Sequence, residues 1–158
     1  MDTIETSAII LFIVAAASIF AWILTSNRVT EHFAAILMGM TQNPFLILLM
    51  LNLVLFIVGC FMETVAAITI LVPVLLPIAE GVGVDPVHFG VIMVLNLMIG
   101  LLTPPVGMVL YVLSRVAGIS FERCSAATLP FLFPLVVVLA LITFIPSFSM
   151  WLPTLIYR

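Results

Sequence analysis

Hydrophobic positions along this chain gather into four long blocks, parted by short polar or charged stretches. Within residues 1–27, an apolar run over 6–27 is long enough to cross a bilayer once as a helix. Its Ala15-Ala16-Ala17-Ser18 patch is small and lets another helix approach closely. Residues 28–43 differ. Arg28, Glu31 and His32 are followed by Phe33, Ile36, Leu37 and Met40 at helical spacing, which predicts a short amphipathic helix lying along the interface. His32 is read as an interfacial polar residue, and Asn43-Pro44 closes the segment and opens the next.

The second block, residues 44–80, holds one charge within its apolar run, Glu63. A straight helix of that length would reach ~54 Å, against a hydrocarbon core of ~30 Å. Two full crossings need about 40 residues plus a turn, slightly more than are present. Pro73 and Pro77 also interrupt the second half. A re-entrant hairpin fits, with arms over 44–60 and 67–79 and a tip over 61–66. Two tilted full helices are the alternative. Glu80-Gly81-Val82-Gly83-Val84-Asp85-Pro86 is a loop. It leads into a helix that Asp85 suits as N-cap and Pro86 as first residue. His88 lies in that first turn, where a cap-region hydrogen bond and a proton relay are both open.

The third block, residues 85–118, contains Gly100-Leu101-Leu102-Thr103-Pro104-Pro105-Val106-Gly107. Adjacent prolines remove two backbone donors and clash with the preceding turn, so a regular helix cannot pass. Thr103, before a proline, is pushed from helical geometry. The block reads as a broken helix with halves over 86–101 and 105–117. Gly118-Ile119-Ser120 is a polar turn flanked by Arg115, Glu122 and Arg123. Residues 124–158 give a last spanning helix of about 20 residues. An interfacial tail follows with Pro146, Trp151, Pro153 and Tyr157.

Composition narrows the class. Of 158 residues, 65% are hydrophobic and 7% charged, and the mean hydropathy is +1.47. A soluble domain carries roughly a quarter charged residues, so the chain is read as an all-α integral membrane protein. The net charge of −3 has no basic cluster that would suit nucleic acid. Cys60 and Cys124 lack metal-ligand spacing and are read as small packing residues. Arg115 and Arg123 share one side of the membrane; Arg28 and Arg158 share the other. Charge alone therefore leaves the orientation open. No His-Glu-x-x-His or Gly-x-Ser-x-Gly motif is present, which argues against an enzyme.

The candidate chemistry lies at the break. An unpaired backbone carbonyl in hydrocarbon costs several kcal/mol, so a break at membrane depth survives where protein, water or an ion satisfies it. The Thr103 hydroxyl and carbonyl and the carbonyls of Gly100, Leu102 and Val106 are the oxygens that an unwound turn offers. A hard monovalent cation takes such neutral oxygens. Gly59, just before the hairpin tip, can bring a further carbonyl. The alternative is a proline kink without a ligand. A half-helix N-terminus suits an anionic substrate, and Glu63, Thr64, Pro104, Pro105 and Gly107 are substrate or gating candidates. Glu63 either binds a proton or cation, or lines an aqueous opening, or makes a structural hydrogen bond to the hairpin turn.

Gly59-Cys60-Phe61-Met62-Glu63-Thr64, the Pro73/Pro77 pair, Asp85-Pro86-Val87-His88-Phe89-Gly90 and the Thr103-Pro104-Pro105-Val106-Gly107 string occur in this order. Together they resemble the C-terminal part of the large permease subunit of tripartite ATP-independent periplasmic (TRAP) transporters. The resemblance implies one repeat of an inverted-repeat, elevator-type transporter in the bacterial inner membrane. Residues 1–27 and 124–158 would be scaffold helices and 28–43 a connecting arm. The hairpin 44–80 and broken helix 85–118 would move. It further implies sodium-coupled uptake of organic acids such as C4-dicarboxylates or sialic acid. A periplasmic binding protein and a small membrane subunit would be the partners, and no cofactor is needed beyond Na+ as coupling ion. Gly59, Gly100, Thr103 and Val106 carry over as one sodium site. Another inverted-repeat anion permease, or a non-transporting scaffold remnant, are the alternatives. The family's subunit is more than twice as long, so an N-terminal repeat is expected elsewhere, in a longer chain or a separate one. The expected behaviour of the purified chain alone in liposomes is no sodium-dependent uptake of an organic acid. Uptake above that of empty vesicles overturns this expectation.

Overall fold

The computed structural model of the chain describes residues 43–156 continuously and isolated positions from 15 to 41. The expected spanning helix 1–27 and arm 28–43 lie outside the continuously described residues. Within them the chain is helical, and each helix begins and ends for a local reason. Helix α1, Pro44–Phe61, starts where the Asn43 Oδ1 accepts from the Phe45 N–H at 3.0 Å. Proline at the first position forgoes a donor that has no partner there anyway. It ends where Met62 turns extended, and α2, Thr64–Gly81, begins after Glu63. The hairpin turn is thus two residues, Met62 and Glu63, tighter than the tip expected over 61–66.

Both hairpin arms have 18 residues, and with α5 they are the described helices long and apolar enough to cross a membrane. Each extends ~27 Å. Pro73 and Pro77 lie inside α2 and do not interrupt it. Residues around them, Ala67 before, Leu75 between and Ile78 and Ala79 after, are buried in one apolar cluster with α1 and α3. That packing holds the helix through the two missing donors.

Helix α3, Pro86–Leu101, is the centre. Asp85 caps it, its Oδ1 accepting from Val87 N–H at 2.8 Å. Phe89, Met93 and Leu97 join the cluster with α1 and α2. Ile92 and Ile99 join a second cluster with Leu48 of α1 and Leu132 and Leu139 of α5, Phe121–Phe144. Between α3 and α5 runs α4, Met108–Ala117, bounded by Gly107 and Gly118 at φ 52° and 66°. Those left-handed conformations favour glycine. The segment after α5, expected as an interfacial tail, is a helix, α6, Ser147–Ile156. Pro146 precedes it, which suits a helix start.

Apolar burial does not by itself drive helices together in a bilayer, because lipid chains are equally apolar. Close backbone approach and hydrogen bonds decide the packing instead. At the α1–α3 crossing, a Cβ on Gly100 would lie 2.6 Å from the Gly59 carbonyl carbon and 2.7 Å from its Cα. A Cβ on Gly59 would meet the Leu97 Cα at 3.0 Å. The opposed atoms are backbone and cannot swing aside. Gly90, also in α3, has nothing within 4 Å of its Cβ position. In the complete permease, Gly100→Ala should therefore lower stability by about 1–3 kcal/mol through overpacking. Gly90→Ala should leave it unchanged or raise it by up to about 1 kcal/mol through helix propensity. Thermal denaturation of the detergent-solubilised protein checks both, and equal destabilisation by the two would refute the crossing.

Candidate functional site

The C-terminal end of α3 unwinds in steps that the sequence dictates. Pro104 and Pro105 have no N–H to return to the last turn. The chain tightens there instead. Leu102 N–H donates to the Ile99 carbonyl at 3.1 Å and Thr103 N–H to the Gly100 carbonyl at 2.9 Å. The Thr103 hydroxyl donates to the Ile99 carbonyl at 2.8 Å. That bond uses its proton and leaves the oxygen's lone pairs for another partner. The Pro104–Pro105 peptide is cis. Pro104, Pro105 and Val106 are exposed, Thr103 is half-buried and Gly107 is buried. A Cβ on Gly107 would press on Leu110 Cδ1 at 2.9 Å and approach the Thr103 carbonyl oxygen at 3.3 Å. No side chain caps the N-terminus of α4.

The oxygens differ from the expected set in one respect. The Gly100 carbonyl is not freed by the break, because the Thr103 N–H already occupies it. Its second lone pair alone is open. No described backbone N–H donates to the carbonyls of Leu102 or Val106, nor to that of Gly59 in the last turn of α1. Orphan carbonyls are general at helix ends. Here two helix ends meet. The Gly59–Gly100 contact sets the carbonyl end of α1 against the carbonyl end of α3, so both negative dipole ends converge. Of the four residues expected to hold a cation, Gly59 and Gly100 are in direct backbone contact. Thr103 lies one turn beyond Gly100, and Val106 lies in the unwound segment that follows.

The hairpin turn has a different role from that of a charged ligand. The two carboxylate oxygens of Glu63 accept from Val65 N–H at 3.0 Å and Ala66 N–H at 3.1 Å, capping α2. Among the readings open for Glu63, this geometry contains the structural hydrogen bond to the turn. The Thr64 hydroxyl donates to Met98 Sδ at 3.8 Å, tying the turn to the last stretch of α3.

Two residues that the sequence did not single out stand beside this contact. Asn96 of α3, fully buried, donates through Nδ2 to the Asn52 carbonyl at 2.9 Å and to Asn52 Oδ1 at 2.6 Å. Asn52 Nδ2 donates to the Leu48 carbonyl at 2.9 Å and to Thr143 Oγ1 of α5 at 3.2 Å. The available signal was asparagine inside otherwise apolar helices, which is costly unless paired. These residues floor an apolar cleft of about 540 Å³ between α1 and α5, lined also by Leu53, Phe56 and Ala140. His88 is likewise buried, and its Nδ1 meets Ser149 Oγ of α6, a tertiary partner and not a cap contact.

An apolar, all-helical described chain with three span-length helices and a broken helix defines an integral membrane protein. Over residues 1–148 the sequence matches the family described as "Tripartite ATP-independent periplasmic transporter, DctM component". The chain belongs to that family of transporter permeases, which are not enzymes. It is 44% identical to the sialic acid TRAP transporter large permease protein SiaM of Vibrio cholerae, over 98% of this chain and 36% of that protein. It is 41% identical to the C4-dicarboxylate TRAP transporter large permease protein DctM of Pseudomonas aeruginosa, over 97% of this chain and 36% of that protein. With the isethionate TRAP transporter permease protein DctMQ of Oleidesulfovibrio alaskensis it shares 47% identity, over 96% of this chain and 24% of that protein. The chain thus spans about a third or less of the length of these relatives.

The cap geometry gives a direct test of Glu63. Glu63→Ala should lower the stability of the complete permease by about 1 kcal/mol, and Glu63→Asp, a better N-cap, should hold it within a few tenths. Thermal denaturation of the two variants measures the difference. Equal loss in both would mean that the carboxylate does something a cap does not require.

Proposed function

We propose that this chain is the C-terminal repeat of the large permease subunit of a sodium-coupled secondary transporter for organic acids. It would work in a bacterial inner membrane with a small membrane subunit and a periplasmic binding protein. The observation that carries this reading is the Gly59–Gly100 contact. It sets the unpaired carbonyl end of α1 against a helix end that two prolines prevent from closing. Neutral oxygens gathered at two helix C-termini suit a monovalent cation: they supply negative potential without a buried full charge. In this reading Na+ is held by the carbonyls of Gly59, Gly100 and Val106 and by the Thr103 hydroxyl oxygen.

The substrate class rests on the relatives. Those named for sialic acid, C4-dicarboxylate, isethionate and 2,3-diketo-L-gulonate all handle acids that are anionic at neutral pH. An anion carried together with a cation would meet the uncapped N-terminus of α4, with Pro104, Pro105 and Gly107 shaping its approach. The rest of the cavity would come from a second repeat, and movement of the hairpin and broken helix against the scaffold would carry both across.

The reading is tested with the complete transporter in proteoliposomes, following uptake of a C4-dicarboxylate or sialic acid against sodium concentration. Thr103→Val keeps the side-chain shape and removes the oxygen. It should raise half-saturating sodium about tenfold or abolish coupling, given that a charge-assisted contact is worth ~1.5–3 kcal/mol. An unchanged sodium curve at normal expression would sink the proposed site.

A further inference from the structure

We infer that the Asn52–Asn96 pair is a positioning element for the cation site: it fixes the register in which α1 meets α3, and so where the Gly59 carbonyl lies relative to the Thr103 turn. The inference rests on the sodium reading above and goes beyond it by naming what sets the site's geometry. Asn96, Gly100 and Thr103 are spaced i, i+4, i+7, which places them on one face of α3. Asn52 and Gly59, seven apart, share one face of α1. The asparagine contact and the glycine contact are therefore neighbours on one seam, about 6 Å apart along α3.

The glycine contact brings the helices close but does not index them. Two bare α-carbons present little relief, and apolar side chains in hydrocarbon resist sliding weakly. The asparagines index them. Both protons of the Asn96 amide are used, one on the Asn52 backbone carbonyl at 2.9 Å and one on its side-chain oxygen at 2.6 Å. A two-point contact to one residue fixes rotation as well as translation. Asn52 cannot swivel to follow a slide, because its own amide is held by the Leu48 carbonyl at 2.9 Å and Thr143 Oγ1 at 3.2 Å. A slip of α1 by one residue, about 1.5 Å, would unpair these amides in apolar surroundings. It would also carry the Gly59 oxygen out of the narrow distance range that a hard cation accepts. A polar pair that sets register in an otherwise apolar helix contact is a known use of buried asparagine.

A structural role alone would be to hold the bundle together, and that role moves different observables. In the complete transporter in proteoliposomes, Asn96→Leu should raise half-saturating sodium about tenfold, with the maximal rate per folded transporter kept within about twofold. Asn52→Leu should match it, and the double variant should be no worse than either single, because the two residues act as one contact. Thr143→Val, which removes one of the two holds on the Asn52 amide, should give a smaller shift in the same direction. Gly90→Ala, with nothing within 4 Å of its Cβ position, should not move the sodium curve. If Asn96→Leu does not accumulate, Asn96→Ser, a shorter donor, should give a smaller shift in the same direction. An unmoved sodium curve in the folded Asn96 variant overturns the inference, as does a loss confined to expression or maximal rate. Thr103→Val run alongside separates the two failures. A shift there with none at Asn96 removes the positioning role and leaves the site standing. No shift at Thr103 removes the site itself.

Discussion

Where α1 crosses α3, two residues without side chains let backbone touch backbone, and the described chain is arranged about that contact. A Cβ on Gly100 would fall 2.6 Å from the Gly59 carbonyl carbon. In a bilayer such proximity matters more than apolar area, since lipid competes on equal terms for every apolar face. With α1 and α3 joined this closely, α2 returns along the free side of the pair and buries Ala67, Leu75 and Ile78 against them. Helix α5 closes the other side through Leu132 and Leu139. The two-residue turn at Met62 and Glu63 keeps α2 beside the crossing, and Thr64 ties that turn to Met98.

The double proline acts on the same place from the other direction. Left alone, α3 would continue past Gly100 and satisfy its own carbonyls. Pro104 and Pro105 withhold the donors that would reach Gly100 and Leu101, so the last turn contracts onto Ile99 and Gly100. In the unwound segment the carbonyls of Leu102 and Val106 have no backbone donor among the described residues. Thr103 remains in place because its hydroxyl bonds back to Ile99. Gly107 then takes a left-handed conformation that lets α4 start with an uncapped N-terminus. An acceptor-rich end and a donor-rich end thus lie within one short unwound segment, the arrangement on which the proposed sodium-coupled reading draws.

How much of this was legible in the sequence follows from the range of each interaction. The break at Thr103-Pro104-Pro105, the Asp85-Pro86 start and the Asn43-Pro44 start are local chemistry, and the structure has them where the sequence puts them, although the second half-helix starts at Met108 and not at 105. Pro73 and Pro77 misled, because a proline's local penalty was overridden by packing that the sequence does not display. The segment expected as an interfacial tail is a helix, α6, which Pro146 precedes and Pro153 lies within. Glu63 stayed ambiguous because glutamate is not among the residues usually favoured at an N-cap. The partners of Asn96 and His88 lie 44 and 61 residues away, and no periodicity or spacing could have named them.

The distribution of satisfied and unsatisfied polar groups separates support from site. Asn52 and Thr143 sit in apolar helices with their donors paired, as hydrocarbon demands. Asn96 spends both its donors on Asn52, and its Oδ1 has no partner among the described residues. The carbonyls of Gly59, Leu102 and Val106 are also without backbone donors; the first two lie at the α1 and α3 ends joined at the crossing, and Val106 lies in the unwound segment that follows α3. Unpaired acceptors scattered over a membrane protein would be a pure penalty, to be removed by any sequence change that closed a helix. In the proposed sodium reading, acceptors near one helix crossing, beside an amide whose donors are both used, offer a negative potential that suits a cation. The same glycines that permit the contact also keep side chains out of it, so the closeness of α1 and α3 and the openness of their carbonyl ends have a single cause.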